Sequence, residues 1–221
     1  YYKANQLGEV QLASSAFGQA MAITPLQMCT AVAAAVNGGY LVTPHVVDKI
    51  TDANGNVIEE IGANVRRQVI SESTSNVIRQ IMEYEVGAGT GGGKYAYVSG
   101  YRIGGKSGTS EQLNMDRRAD GDYKKVASFA AVLPADDPEI IVYVMLDDPN
   151  NARTDYSSLL AAPVVGNIIS EIAPYLGIAA DGEDRSQTVV TVPNLVGTEW
   201  SSAQVQLNIK GLRHQPVSYT H

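Results

Sequence analysis

The residues of this chain best suited to chemistry lie together near its middle, in the run Gly100-Tyr101-Arg102-Ile103-Gly104-Gly105-Lys106-Ser107-Gly108-Thr109-Ser110. Lys106 carries a positive charge, and the hydroxyls of Ser107 and Thr109 can bond a carboxylate or a phosphate. The glycines around the lysine have no Cβ, so a ligand or another chain can come close to this backbone. The run therefore predicts an anion-binding edge.

One interpretation of this edge is a nucleotide site, because Gly100 to Ser107 fits the phosphate-loop pattern G-x-x-x-x-G-K-[ST]. The apolar run Ile140 to Asp147 ends in an aspartate that would suit a magnesium ion. A phosphate loop, however, needs a helix to begin at its Lys-Ser pair, so that the helix N-terminus faces the phosphates. The polar, glycine-containing sequence after Thr109 shows no apolar 3.6-residue period. A P-loop nucleotide hydrolase is therefore the weaker hypothesis.

The second interpretation comes from a family resemblance. Lys106-Ser107-Gly108, followed by Thr109, matches the K-[TS]-G motif of penicillin-recognising transpeptidases, and Gly100 to Ser110 resembles the β3 strand of class B penicillin-binding proteins. Leu12 to Val47 is similar to another stretch of that family, through Phe17-Gly18-Gln19, Thr24-Pro25-Leu26-Gln27, Asn37-Gly38-Gly39 and Pro44-His45-Val46-Val47. The resemblance covers about residues 1 to 177. One departure is Ala20, where the family usually has a second glycine.

This resemblance implies an α/β (α+β) fold, the C-terminal half of a penicillin-recognising transpeptidase, with an antiparallel sheet flanked by helices. It implies serine acyl transfer on the D-Ala-D-Ala ends of peptidoglycan stem peptides, and binding of β-lactams, which imitate those ends. Lys106, Ser107, Gly108 and Thr109 are then the substrate-binding residues. Lys106 and Thr109 are also the expected catalytic residues, with the Thr109 N–H in the oxyanion hole.

The nucleophile of that reaction is missing from the sequence. No lysine has a serine three residues before it, as S-x-x-K requires, and no Ser-x-Asn occurs. In the family both motifs precede Lys-Ser-Gly, so we expect them upstream of Tyr1 and expect this chain alone to be inactive. The resemblance also implies an N-terminal anchor outside the chain, on the extracytoplasmic face of a bacterial cell membrane. A non-catalytic cell-wall-binding or β-lactam-binding protein is the alternative.

The composition of the chain limits its possible functions and partners. The chain has 221 residues and a formal net charge of −7, which argues against a nucleic-acid partner. The single cysteine, Cys29, cannot form an internal disulfide. No cofactor and no metal are expected. The expected partners are peptidoglycan stem peptides, β-lactam antibiotics, other cell-wall synthesis proteins and the N-terminal remainder of the same protein.

The elements that must position the central run can be predicted from pattern and caps. We expect a short helix within Gln6 to Ala16 and two longer ones, the first beginning at Thr24-Pro25 and the second capped by Ser71. Strands are predicted over Tyr40 to Ile50 and from Tyr95 into the Lys-Ser-Gly-Thr segment, with a hairpin turn at Asn54-Gly55. Two further antiparallel strands, Val126 to Leu133 and Ile140 to Leu146, precede a closing helix over Leu159 to Leu176.

The sequence divides into 1–178 as the transpeptidase portion, 179–187 as a small, acidic linker, and 188–221 as a terminal module. Val192-Pro193-Asn194-Leu195-Val196-Gly197, with Ala203, Leu207 and Gly211-Leu212, is similar to the opening of a PASTA module, a small βαββ domain. About half of such a module is present. We expect a helix from Ser201 to Ile209 and little packing of the module against the rest.

Overall fold

The computed structural model describes residues 7–19, 22–87, 91–112, 117–119, 121–149, 156–180 and 192–209. The strands are β1 Tyr40–Thr43, β2 Lys49–Thr51, β3 Val57–Glu60, β4 Asn64–Gln68, β5 Gly104–Glu111, β6 Lys125–Leu133 and β7 Ile140–Asp147. The helices are α1 Glu9–Ala16, α2 Pro25–Val36, α3 Glu72–Gly87, α4 Ser157–Tyr175 and α5 Trp200–Ile209, with a 3-10 helix at Gly92–Ala96. This is the predicted mixed α/β class.

A three-stranded antiparallel sheet in the order β5-β6-β7 forms the centre of the structure. The central strand β6 is the most buried, because both of its neighbours and helices on both faces cover it. On one face Phe129, Ala131 and Leu133 pack with Val165 and Ile169 of α4. The antiparallel pairing of β6 and β7 predicted from the sequence is confirmed.

The sheet's second face and its β5 side are covered by α2 and α3, whose starts follow the predicted caps. The Thr24 hydroxyl accepts from the Gln27 N–H at 3.2 Å, and the Gln27 side chain accepts from the Thr24 N–H at 2.9 Å. The Ser71 hydroxyl accepts from the Thr74 N–H at 3.1 Å. Met82 of α3 joins Val36 of α2 and Val132 of β6 in a small buried cluster.

Helix α3 is fixed at both of its ends by glycines on other elements. Before its first residue, a Cβ on Gly39 would lie 2.0 Å from the Ile70 carbonyl oxygen, and the φ of Gly39 is +95°. Near its last turn, a Cβ on Gly105 would lie 2.9 Å from Cγ2 of Val86. Only glycine allows these approaches, because no real Cβ sits that close to another atom. The Arg102–Glu83 ion pair, 2.6 Å from Nε to Oε1, ties α3 to the segment before β5.

The predicted strand from Tyr95 is wrong over its first half, since β5 begins only at Gly104. Residues Gly92–Ala96 instead form the 3-10 helix, with the Tyr97 N–H donating to the Lys94 carbonyl at 3.2 Å. A turn follows, in which Gly100 has a φ of +83°. The apolar and aromatic pattern here reflects packing of Tyr95, Tyr97, Val98 and Tyr101 on the core, which needs no strand.

The single strand predicted over Tyr40 to Ile50 is also wrong, because two strands of different sheets occupy it. β1 pairs with β4, a strand that the sequence pattern did not predict, and β2 pairs with β3. Pro44 follows β1 directly and has no N–H for a ladder, so the strand cannot continue through it. The hairpin predicted at Asn54-Gly55 is confirmed by the β2–β3 pairing.

The helix predicted near the C-terminal end of the chain is present as α5. Its Ala203 is buried, and the helix contacts the 3-10 helix, whereas Trp200 remains 43% exposed. The proposed linker lies mostly outside the described residues, as do Val189 to Thr191 and Gly211-Leu212. The longest helix, α4, has the length and hydropathy of a membrane span, but its buried side packs against the core.

Candidate functional site

The four predicted substrate-binding residues lie together on β5. Lys106 faces Ala130 of β6 in the register, and Thr109 faces Ala127. In the described part of the chain β6 is the only strand paired with β5, so β5 is an edge strand. Because Lys106 and Ser107 are in a strand and not at the start of a helix, the phosphate-loop interpretation is wrong.

The glycines of this run serve internal packing more than ligand approach. A Cβ on Gly105 would lie 2.6 Å from the Phe129 ring, and one on Gly104 would lie 3.0 Å from Cγ2 of Val132. Both glycines are buried. The interpretation that they open the backbone to a ligand is therefore wrong. Only Gly108 is exposed, and a Cβ there would meet the Ser128 hydroxyl at 3.0 Å.

Lys106 supplies an available positive charge at the exposed part of β5. Its side chain is exposed, and its ammonium group donates to the Ser107 carbonyl at 2.8 Å. An ammonium group has three protons, so this contact leaves others for an incoming anion. The half-buried Ser107 and the exposed Thr109 follow it along the strand.

Thr109 is held in place by Ser157, the first residue of α4. The two hydroxyl oxygens lie 2.6 Å apart, and the Ser157 N–H approaches the Thr109 hydroxyl oxygen at 3.5 Å. The Ser157 hydroxyl also donates to the Gly108 carbonyl. Ser157 is 1% exposed, so its polar side chain depends on these partners.

Two further side chains bond the backbone of the same strand. The Ser128 hydroxyl on β6 donates to the Gly108 carbonyl at 3.2 Å. The Gln19 side-chain amide donates to the Thr109 carbonyl at 2.9 Å, so the motif Phe17-Gly18-Gln19 reaches the Lys-Ser-Gly-Thr strand. The backbone around Thr109 is thereby fixed from three separate elements of the chain.

Ser157 and Ser128 were not predicted as site residues, because nothing in their local sequence marks them. The contact of Ser157 spans 48 positions, and that of Gln19 spans 90. Gln19 could have been found from the sequence, because it belongs to the family motif Phe17-Gly18-Gln19. Pairing of Ser128 with Gly108 follows only once the register of β5 and β6 is known.

Cys29 is the single cysteine of the sequence and therefore its only thiol. Burial raises the pKa of its thiol, outweighing a hydrogen bond to the backbone that lowers it. The thiol therefore stays protonated at neutral pH, which makes it a poor nucleophile. It lies on α2 and half-buried, as expected of a structural cysteine.

Comparison with known proteins decides the family. Residues 2–170 match the penicillin-binding protein transpeptidase domain. The chain belongs to this family. Stage V sporulation protein D of Bacillus subtilis is 36% identical over 215 residues, covering 92% of this chain and 32% of that protein. A probable peptidoglycan D,D-transpeptidase FtsI of Caulobacter vibrioides is 34% identical, covering 83% of this chain and 30% of that protein.

Solved penicillin-binding proteins share the fold. Penicillin-binding protein 3 of Mycobacterium tuberculosis, in its apo form, superposes with a TM-score of 0.67 and 27% identity, over 81% of this chain and 41% of that one. The same protein complexed with aztreonam gives a TM-score of 0.65. This chain is thus a transpeptidase domain portion of a class B penicillin-binding protein, and it spans about a third of the length of the curated relatives it matches.

Proposed function

We propose that the protein containing this chain is a peptidoglycan D,D-transpeptidase that works by serine acyl transfer on D-Ala-D-Ala stem peptides. The observation that carries this proposal is the exposed Lys106 to Thr109 segment on an edge strand, held by Ser157 and Gln19. The family match and the similarity to a probable peptidoglycan D,D-transpeptidase support the same reaction. β-Lactams are the corresponding inhibitors, as the aztreonam and ampicillin complexes of a relative suggest.

The donor peptide would lie along the exposed part of β5 as an added strand, held by backbone hydrogen bonds. Lys106, Ser107 and Thr109 would bind its terminal carboxylate, whose charge suits the ammonium group and the hydroxyl donors. The edge is free of α3 here, because α3 approaches β5 at Gly104 and Gly105. Because Gly108 has no side chain, it leaves room for the bound peptide beside the strand.

In the chemical step a serine oxygen attacks the carbonyl carbon of the penultimate D-Ala. The Thr109 N–H would donate to the oxyanion that develops, and one such donor contributes about 3–4 kcal/mol to the transition state. The bond to the terminal D-Ala nitrogen then breaks, and that D-Ala leaves as the free amine. An amine of a second stem peptide attacks the serine ester and completes the cross-link. In this proposal the positive charge of Lys106 raises the local electrostatic potential, and its ammonium group helps to relay protons.

The attacking serine is proposed to lie outside these 221 residues. No S-x-x-K and no Ser-x-Asn occurs in them. The chain corresponds to about a third of the relatives' length, which leaves room for both motifs in a longer protein. The Lys106 to Thr109 strand then completes a site whose other wall carries the nucleophile.

A fluorescent penicillin tests this proposal. The longer protein is expected to be labelled covalently, in competition with unlabelled ampicillin, whereas the 221-residue chain alone stays unlabelled. Labelling of the isolated chain at a defined serine would overturn the assignment of the nucleophile. If the longer protein binds the ligand reversibly but forms no adduct, it is a non-catalytic binding protein instead.

We propose residues 1–178 as the transpeptidase portion, 179–187 as a linker and 188–221 as the beginning of a PASTA-like module, supported by the position of α5 after Pro193. An extracytoplasmic, membrane-anchored location and contacts with other cell-wall synthesis proteins follow from the proposed substrate. Limited proteolysis that cuts first within 179–187 would support the division.

A further inference from the structure

The buried hydroxyl of Ser157 controls what the Thr109 hydroxyl can offer to a ligand. A serine hydroxyl has one proton, and a carbonyl oxygen can only accept. Because Ser157 bonds the Gly108 carbonyl, its proton is directed there. In the 2.6 Å contact between the two hydroxyls, Thr109 must then be the donor. The Thr109 proton therefore points at Ser157 and away from any incoming carboxylate.

A carboxylate only accepts hydrogen bonds, so it cannot use Thr109 in this arrangement. When Ser157 reverses its bond and donates to the Thr109 hydroxyl oxygen, the Thr109 proton becomes free and the contact between the two hydroxyls is kept. The Gly108 carbonyl would not lose all its partners in that change, because the Ser128 hydroxyl also donates to it at 3.2 Å. The Gly108 carbonyl therefore keeps one side-chain donor throughout the change.

We propose that Ser157 is a positioning residue for carboxylate recognition, acting through a reversible hydroxyl relay in which Ser128 supports the Gly108 carbonyl. In the free state Ser157 donates to Gly108. In the bound state it donates to Thr109, and Thr109 donates to the ligand's carboxylate. Consecutive hydroxyl donors strengthen one another, so the Thr109–carboxylate bond depends on Ser157. This inference rests on the proposed function, in which Thr109 binds that carboxylate.

The experiment compares acylation of the longer protein by benzylpenicillin with acylation by its methyl ester, which lacks the negative carboxylate. The ratio of the two second-order rate constants is measured for wild type, Ser157→Ala, Ser157→Cys and Ser128→Ala. For Ser157→Ala we expect the ratio to fall about tenfold, the effect of one lost hydrogen bond of typical strength. Ser157→Cys, a weaker donor of similar size, should give an intermediate ratio.

Ser128→Ala should also lower the ratio, by about threefold to tenfold, because it leaves the Ser157 proton as the only side-chain donor to Gly108. Ser158→Ala, one residue along α4 and outside these contacts, is the matched control and should keep the wild-type ratio. A purely structural role for Ser157 would lower both rate constants equally and leave the ratio unchanged. That result would overturn the relay.

Different results would contradict the proposed function and the hydroxyl relay. If wild type is not acylated by benzylpenicillin, the proposed function is wrong. If wild type is acylated and prefers the carboxylate, but both Ser157→Cys and Ser128→Ala keep the full preference, only the relay is wrong. Should Ser157→Ala fail to fold, the Ser157→Cys and Ser128→Ala ratios decide the question alone.

Discussion

The side-chain amide of Gln19 donates to the backbone carbonyl of Thr109 at 2.9 Å, joining the loop after α1 to the strand that carries Lys106. This contact is exposed, and it lies beside the proposed oxyanion donor of the same residue. The geometry of Thr109 is therefore set partly by a residue 90 positions earlier in the chain.

Replacing Gln19 by Glu should disturb this strand. A carboxylate cannot donate to the Thr109 carbonyl, and it brings a negative charge near the place proposed for the ligand's carboxylate. We expect penicillin acylation of the longer protein to fall about tenfold, more than for Gln19→Ala, with the gap narrowing at high salt. Gln80→Glu, the same change on the exposed side of α3, is the control. Equal rates for the two glutamate variants would contradict this role.

Lys106→Gln should reduce acylation by about 10–100-fold, the range expected for losing a hydrogen bond from a charged donor to a carboxylate. Lys106 is exposed, so the melting temperature should stay within about 1 °C of wild type by the usual behaviour of surface substitutions. Stopped-flow or gel-based time courses of labelling measure the first quantity, and thermal melts the second. The control is Lys49→Gln on the β2–β3 hairpin, which should leave the acylation rate unchanged. An unchanged acylation rate in Lys106→Gln would contradict the role of Lys106 in the site.

Gly105→Ala should destabilise the fold, because the added Cβ would lie 2.6 Å from the Phe129 ring and 2.9 Å from Val86. Overpacking of this kind costs about 1–3 kcal/mol. Chemical denaturation measures the change in the free energy of unfolding. Gly62→Ala is the matched control, since a Cβ there meets nothing within 4 Å, and it should be neutral. A neutral Gly105→Ala would contradict the close approach of Phe129 and Val86 to this backbone.

The β2–β3 hairpin should depend on pH through Asp52. The pKa of this carboxyl is lowered chiefly by the Asn56 side-chain amide, and then by the Asn56 and Asn54 N–H groups. A lowered folded-state pKa stabilises the turn above the unfolded value of about 4, and the benefit is lost as the pH falls through the folded value. NMR titration of the carboxyl carbon should give a midpoint below that of a model aspartate, and Asp52→Asn should remove the hairpin's acid-dependent shifts. A midpoint at the model value would contradict this.

Structural features that depend on residues close in sequence were predicted correctly. The caps at Thr24 and Ser71, the Asn54-Gly55 turn and the apolar strands β6 and β7 depend on neighbours in sequence, and all were found. The Lys106 to Thr109 segment forms a strand, as its polar continuation predicts, and within the described residues this strand lies at the edge of its sheet.

Long-range contacts were beyond the reach of the sequence pattern. Nothing in the local sequence distinguishes Ser157 from other serines at helix starts, and only the tertiary packing of α4 brings it to Thr109. Tyr95 to Tyr101 has the composition of a strand, yet tertiary packing of its rings favours a 3-10 helix and a turn. The packing roles of Gly104 and Gly105 could not be predicted, because β6 and α3, which fill the space beside them, lie elsewhere in the sequence.

Close contacts with Gly39 and Gly105 at the two ends of α3 fix the length of that helix. Its 16 residues span about 24 Å between the Gly39 contact and the Gly105 contact. Inserting or deleting one residue inside it would rotate everything downstream by about 100°, taking Met82 and Val86 away from the strand. Length variation is thus excluded from α3 but tolerated at Gly55, where the turn meets open space.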